Sequence, residues 1–337
     1  MIQSLALKYR PHKFEDVCAQ ASITTILENQ IQSNTFKQAY LFTGPAGCGK
    51  TTCARILANE INKGNGQPIE LDAASNNGVD DIRNISDLAK LQSLDSEYKV
   101  FILDEVHMLS GGAWAAMLKL IEEPPAKTIF ILATTDVQKV PKTILSRCQR
   151  FDFSRIPTNT IVDRLKYVLD CEIECGNKIT FDIDALRYIA ILAEGGMRTA
   201  LTLTDKVLSY NQTISIDNVV SALGSINYDV LFNMTWSLLN HAYASTVEVI
   251  DNVYMSGKDL KQFIKTYMLF LLDLRKFQIT RDITYTQMPS TYLQKLKCLQ
   301  NEEDNTVALL NTVVQLNSDI KWETNPKALI EASLLTF

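Results

Sequence analysis

Residues Gly44-Pro-Ala-Gly-Cys-Gly-Lys-Thr51 decide how this chain folds. They fit G-x-x-x-x-G-K-[ST], and they stand between an apolar run, Ala39 to Thr43 (AYLFT), and a helical pattern, the setting a phosphate-binding loop requires. Glycines let such a loop curl until its backbone N–H groups face phosphate oxygens. The helix that follows adds the positive end of its dipole. Lys50 is placed to reach β- and γ-phosphates, and Thr51 to ligate Mg²⁺. Nucleotide contacts are expected from Gly44, Pro45, Ala46, Gly47, Cys48, Gly49, Lys50, Thr51 and Thr52.

Outward from the loop, short apolar runs alternate with helical patterns. Ile69 to Leu71, Val100 to Leu103 and Ile129 to Ala133 read as further strands. The longer ones are apolar without alternation, as expected of strands covered on both faces. Ala21 to Ile31 reads as a helix with Ile23, Ile26, Leu27 and Ile31 on one face, and further helices are expected after Gly49, Gly78 and Gly112. Strands alternating with helices predict a parallel sheet with helices on both faces. The run VFILDE (Val100 to Glu105) sets Asp104 and Glu105 at the carboxyl end of a buried strand, where ligands bind in open α/β sheets. Asp104 is expected in the shell of a Mg²⁺ ion, which keeps waters and shares ligands with phosphate. Glu105 is expected to orient and polarise an attacking water. These residues together predict a Mg²⁺-dependent NTPase.

After about Ile156 the period turns helical, with Ile161, Val162, Leu165, Val168 and Leu169, then Leu186, Ile189 and Ala190, then Ala200, Leu203 and Val207. Gly195-Gly196 interrupts two of these helices, and a further boundary is expected near Gly224-Ser225-Ile226-Asn227. The expected layout is an α/β domain (1–156), a helical lid (157–223) and a helical domain (224–337).

Composition narrows the class without naming a task. The chain has 337 residues, 46% of them hydrophobic and 21% charged, enough to bury cores without covalent staples. No apolar stretch of about 18 residues predicts a membrane span, and the N-terminal residues show no signal-peptide pattern. A cytoplasmic protein is expected. The net charge of −5 gives no support for a nucleic-acid partner on its own, so any DNA contact is local or shared among subunits. Seven cysteines occur without a C-x-x-C pair. They read as buried small hydrophobes in a reduced chain, although Cys171 and Cys175 stand one helical turn apart.

Beyond the acidic strand the wording becomes specific. DEVHMLS (Asp104 to Ser110), LKLIEEPP (Leu118 to Pro125), LATTD (Leu132 to Asp136) and ILSRCQRF (Ile144 to Phe151) closely resemble the bacterial DNA polymerase III gamma/tau family, and less closely the small subunits of replication factor C. KYRP (Lys8 to Pro11), FEDV (Phe14 to Val17) and LDAASNNGVDDIR (Leu71 to Arg83) extend the resemblance through roughly the first 210 residues. It implies a P-loop AAA+ module, its lid, and an α-helical collar holding a pentameric ring of clamp-loader subunits, homo- or hetero-oligomeric. The substrate is then ATP, and the partners are a sliding clamp and primer–template DNA.

By the same resemblance Thr135 is a sensor beside the γ-phosphate. Arg147 is an arginine finger acting on ATP held by the neighbouring subunit, and Arg198 is a second sensor on the lid helix. Tyr9, Arg10, Pro11 and Val17 pack the adenine. Arg83 and Lys119, taken to sit at the N-terminal ends of helices, meet DNA phosphates, which carry no sequence preference. The segment Asp87 to Leu94 is a candidate clamp contact. His107 is assigned no chemical role.

Two features depart from the family. Cellular members carry a four-cysteine zinc module between the phosphate loop and the acidic strand, but no cysteine lies between Cys53 and Cys148, so no zinc is expected. Basic residues of the family in the Ser75 to Val79 turn are replaced by Asn76, Asn77 and Gly78. The chain ends after the expected collar, and no polymerase-binding extension is expected. A reduced bacterial form and a phage or organelle form both fit, and the expected place is the cytoplasm in association with the nucleoid, the host cytoplasm if the chain is phage-encoded. Two other readings stay open. One is a different AAA+ DNA-remodelling ATPase, a branch-migration helicase or helicase loader, which would usually append a winged-helix domain. The other is an ATPase-silent loader scaffold, against which Lys50, Thr51, Asp104, Glu105 and Arg198 all count.

Overall fold

The computed structural model describes residues 3–91, 95–224, 227–286 and 288–337. Ser225 and Ile226 of the expected boundary, and Gln92, Ser93 and Leu94 of the candidate clamp segment, lie outside the described residues. The chain forms two compact units. The first comprises residues 1–171 and 193–202, the second 172–192 and 203–337.

Five parallel strands build the first unit: β1 (Ala39–Thr43), β2 (Ile69–Asp72), β3 (Lys99–Asp104), β4 (Thr128–Thr134) and β5 (Gln149–Asp152), in the order β2-β3-β4-β1-β5. The strand period of two sorts side chains onto two faces. Tyr40, Phe42, Val100, Ile102, Ile129 and Ile131 enter one core with Ile23, Leu27, Cys53, Ala54 and Leu57. Leu41, Phe101, Leu103, Phe130 and Leu132 enter the other with Ile82, Ile85, Trp114 and Met117. The two faces are covered by α2 (Ala21–Gln32) and α3 (Lys50–Ile61) on one side, and by α4 (Val79–Lys90) and α5 (Gly111–Glu122) on the other. The short α1 (Leu5–Lys8) precedes them, and α6 (Lys142–Leu145) and α7 (Thr158–Glu174) follow.

The expected strands are all present, lengthened by a residue or two where the ladder continues past the apolar run. The fifth, β5, gave no apolar signal. It is an edge strand in which only Phe151 is buried. Each helix facing the site has a defined start. Gly49, at φ 108°, opens α3. The Gly78 N–H donates to Asp81 Oδ2 (2.9 Å) at the start of α4, and Ser110 Oγ accepts from Ala113 N–H (3.2 Å) at the start of α5.

The chain continues through α8 (Ile183–Leu192) and α9 (Met197–Tyr210), with Gly195-Gly196 between them as the sequence suggests. The rest of the second unit is α10 (Ile216–Leu223), α11 (Tyr228–Leu239), α12 (Tyr243–Met255), α13 (Leu260–Thr280), α14 (Leu293–Cys298), α15 (Glu303–Asp319) and α16 (Pro326–Leu334). It also holds a two-residue parallel strand pair, β6 (Thr180–Phe181) with β7 (Thr213–Ile214), too short to leave a sequence signal. Buried polar contacts fix the helix registers: Gln278 Nε2 donates to Leu299 O (2.8 Å) and Thr306 Oγ1 (2.9 Å), and Thr235 meets Tyr267 at 3.1 Å.

The cysteines correct one expectation. Cys48 and Cys53 are buried, but Cys175 and Cys298 are exposed. Among the described residues no group of three or more His, Cys, Asp or Glu side chains is arranged to hold a metal ion. No helix among them is long and apolar enough to cross a membrane.

Candidate nucleotide-binding site

The loop after β1 is shaped by what lies against it. Gly44 has φ 142°, and a Cβ there would stand 2.3 Å from the Phe153 carbonyl oxygen, so only glycine lets β1 leave the sheet at this point. Gly47, at φ 73°, faces Gly196, where a Cβ would approach the Gly196 Cα to 3.2 Å. The two glycines bring the loop and the start of α9 together, and Met197 N–H donates to the Gly47 carbonyl at 3.0 Å. Lys50 is 6% exposed. Its ammonium donates to the Gly44 and Pro45 carbonyls, both at 2.8 Å, and a buried ammonium needs such partners.

β3 lies two strands from β1, with β4 between them. Asp104, at the end of β3, accepts a 2.6 Å hydrogen bond from Thr51 Oγ1 on Oδ2 and one from Glu105 N–H (2.9 Å) on Oδ1. Glu105 itself adopts the left-handed conformation at φ 49°, which costs a non-glycine residue roughly 1–2 kcal/mol. That conformation turns the chain into the one-turn helix Val106–Met108, held by fully buried Val106. Glu105 Oε2 accepts from the Thr135 hydroxyl (2.8 Å) and the Thr135 N–H (3.2 Å). Thr135 is the first residue past β4, so strand order alone delivers it to the glutamate. His107 Nδ1 lies 3.2 Å from the same oxygen, a contact that the sequence reading, which gave this histidine no role, did not find.

A cavity of about 240 Å³ opens over the loop. Its floor is Ala46 through Thr52, with Asp104 and Glu105 at one end. Tyr9, Arg10, Pro11 and Val17 line it too, as does Arg198 from the first turn of α9. Every one of these was expected from the sequence. Gly44 and Pro45 serve the site through the carbonyls that hold Lys50. Burial and the nearby charges of Arg55 and Arg198 lower the pKa of Arg10, against an opposing pull from Glu70.

Ala6, Cys18, Ile156, Arg164, Met197, Thr199 and Leu201 also line it and were missed. Arg164 sits among the polar positions of α7, where it reads as a solvated charge. In the structure its guanidinium is half-buried and points a donor at the Tyr9 carbonyl (3.4 Å). Burial raises the Cys18 and Cys48 thiols above their ordinary range.

Besides Gly44 and Pro45, which hold Lys50, and Thr135, which holds Glu105, three expected site residues lie outside the cavity lining. Arg147 is paired with Glu122 (2.7 Å) and donates to the Thr143 carbonyl (2.9 Å). Arg83 pairs with Asp80 on α4, both side chains well exposed. Lys119 corrects the expectation that it marks a helix N-terminus: it is exposed in the last turn of α5. The N-terminal ends of α4 and α5 do lie together, Ser110 N–H donating to the Asn77 carbonyl at 3.1 Å.

Comparison with known proteins agrees with this geometry. Residues 160–213 match the family model described as DNA polymerase III clamp loader subunit, ATPase lid domain, and residues 67–157 match that of the DNA polymerase III delta subunit. The DNA polymerase III subunit tau of Bacillus subtilis is 36% identical over 99% of this chain, which spans 62% of that relative's length. The Escherichia coli tau subunit is 36% identical over 70% of this chain and 40% of its own. The subunit gamma of Buchnera aphidicola from Acyrthosiphon pisum is 31% identical over 99% of this chain and 98% of its own length. Among solved structures, the Thermotoga maritima RuvB Holliday junction branch migration motor has a TM-score of 0.53 at 19% identity, covering 68% of this chain and 79% of that one. At that identity the likeness shows the fold alone, a P-loop AAA+ module. The near full-length match to a gamma subunit, together with a nucleotide site assembled from the strings that define it, settles the family: this chain belongs to the DNA polymerase III gamma/tau clamp-loader subunits.

Proposed function

We propose that this chain is an ATP-hydrolysing motor subunit of a sliding-clamp loader, working in the cytoplasm on nucleoid DNA. The observation that carries the reading is the joining, in one cavity, of the phosphate loop, the Asp104-Glu105 pair and Arg198. The match to the delta-subunit model begins only at residue 67, beyond the phosphate loop. The intact loop therefore weighs against an ATPase-silent scaffold.

ATP enters with its base between Tyr9, Pro11 and Val17 and its phosphates over Ala46 to Thr52. Loop N–H groups and the start of α3 receive the phosphate oxygens, and Lys50 exchanges its carbonyl partners for the β- and γ-phosphates. Thr51 Oγ1 and Asp104 Oδ2, 2.6 Å apart, form a hard-oxygen donor pair of the kind Mg²⁺ shares with phosphate and water. Bound there, Mg²⁺ supplies charge neutralisation between phosphates. Glu105 orients the attacking water, and Thr135 keeps that carboxylate beside the γ-phosphate position. Arg198 joins from the lid side of the same chain, and Arg147 acts on the ATP of the neighbouring subunit.

ATP binding would close the ring of subunits and favour clamp and primer–template, and hydrolysis would release both. Arg83, the exposed Lys119 and the paired N-termini of α4 and α5 are offered to the DNA backbone, with the face of α4 toward the clamp. The test is loading itself: complete loader, labelled clamp and primed circular DNA. Clamps should become topologically linked to the circle with ATP, whereas a non-hydrolysable analogue should give bound but unreleased clamp. Linking that ignores the nucleotide would end this reading.

A further inference from the structure

We infer that His107 is a positioning residue for the hydrolytic glutamate, clamping one carboxylate oxygen so that the other alone serves water. The inference rests on the ATPase reading of the site and deepens it.

Glu105 Oε2 accepts from Thr135 N–H at 3.2 Å and Thr135 Oγ1–H at 2.8 Å, and His107 Nδ1 stands against the same oxygen at 3.2 Å. Oε1 makes no hydrogen bond with the described residues. A carboxylate oxygen that already accepts two hydrogen bonds and has an imidazole nitrogen against it is a weak base, so the unsatisfied Oε1 is the oxygen left to polarise a water.

The neighbours of His107 fix its tautomer. Its Nδ1 is also 3.2 Å from Thr134 Oγ1. The Thr134 hydroxyl spends its hydrogen on the Asp136 carbonyl (3.2 Å) and accepts from Asp136 N–H (3.0 Å). Facing a hydroxyl oxygen without a spare hydrogen, with a carboxylate oxygen equally near, Nδ1 carries the proton and donates it to Thr134 Oγ1, its positive edge turned to Glu105. Thr134 is fully buried and the His107 side chain is 13% exposed, so the ring is held in place rather than swinging in solvent.

The backbone completes the device. Because Glu105 is left-handed, the turn after β3 folds back and sets the ring two residues on against the carboxylate of Glu105. Thr134 and Thr135 come from the end of the adjacent strand β4. His107 thus ties the acidic strand to the sensor strand through the oxygen that Thr135 also holds.

The experiment is steady-state ATP turnover by the complete loader carrying His107→Leu, His107→Asn or His107→Gln, alongside Glu105→Gln. Asn places an N–H donor near the Nδ1 position, Gln near Nε2, and Leu none. His107→Leu should lower kcat on the order of 10–100-fold while KM and ADP affinity hold. His107→Asn should recover most of kcat and His107→Gln should not, a contrast that decides even if the Leu variant fails to fold. In a Glu105→Gln background, removing His107 should cost nothing further. Unchanged kcat in His107→Leu, or equal behaviour of Asn and Gln, would overturn the inference. Full turnover by Glu105→Gln would instead remove the hydrolytic role of Glu105 on which it rests.

Discussion

The Arg147 guanidinium stands 2.7 Å from a carboxylate oxygen of Glu122. Arg147 belongs to the Ser-Arg-Cys string, and Glu122 is the first glutamate of the Glu-Glu-Pro-Pro string at the end of α5. Two strings that read separately in the sequence are therefore one contact, and Arg147 is not among the residues that line its own chain's cavity. A second donor to the Thr143 carbonyl fixes the fork. Both side chains are about 40% exposed, so the pair adds under about 1 kcal/mol to stability and its weight lies in orientation.

Arg147→Ala should therefore leave folding and ATP binding intact and lower turnover in the assembled ring by several orders of magnitude, on the order of 10³-fold. Glu122→Gln should lower it less, about tenfold, with no change in unfolding midpoint. Rings mixing Arg147→Ala with Lys50→Ala subunits discriminate further. Regained turnover at interfaces pairing an intact finger with an intact phosphate loop marks action between subunits, and activity that merely dilutes in proportion speaks against it.

Replacing Lys50 tests the phosphate site. Lys50→Ala removes a buried ammonium and leaves the Gly44 and Pro45 carbonyls without that donor. Fluorescent ATP analogue binding should weaken by about 100-fold or more, with modest change in thermal stability. Unaltered affinity would mean that the cavity is not where triphosphate sits.

Two glycines separate stability from binding. Gly44→Ala forces a Cβ to 2.3 Å from a backbone oxygen at φ 142°, and should destabilise the first unit by roughly 2–4 kcal/mol. Gly196→Ala brings a Cβ only to 3.1 Å from the Ala46 carbonyl. It should spare the fold and weaken nucleotide binding by displacing the loop from α9. Chemical denaturation and nucleotide titration of the two variants should move in opposite proportions.

Burial raises the thiols of Cys53 and Cys148 from their ordinary value near 9 to about 12. The folded chain then holds these protons more tightly than the unfolded chain. The associated stability is complete below pH about 9 and drains away as pH rises toward 12. Denaturation midpoints should fall on that alkaline side, and they should fall less steeply in Cys53→Ala. At pH 8, a thiol reagent should label exposed Cys175 and Cys298 before buried Cys53 or half-buried Cys148. Prompt labelling of Cys53 in the native protein would contradict its burial.

Much of this was legible in the sequence because it is local. Val100 to Leu103 had to be a strand buried on both faces, and it is, with Asp104 and Glu105 at its carboxyl end. Gly44 to Thr51 carried its chemistry in its spacing. Tyr9 and Arg198 were legible only by resemblance to a family, since nothing in their own surroundings marks them. Arg164, His107 and Glu122 escaped for a different reason. Each works through a partner distant in sequence or across a turn: Arg164 through the Tyr9 carbonyl, His107 through a left-handed glutamate, Glu122 through an arginine 25 positions on. A helix period records which face is buried, not which exposed charge meets another. β5 was missed because an edge strand needs only one buried side chain, and Lys119 was misplaced because its position was carried over by resemblance and not read from a helix start.

The measurement that bears most directly on the account is steady-state ATP turnover by the protein with its loader partners, with and without sliding clamp and primed DNA. Turnover should be slow alone and rise strongly only when clamp and primer–template are both present, and Arg147→Ala should abolish that rise while ATP binding persists. Turnover indifferent to the clamp but raised by branched or single-stranded DNA would contradict the account and assign this ATPase to another DNA-remodelling task.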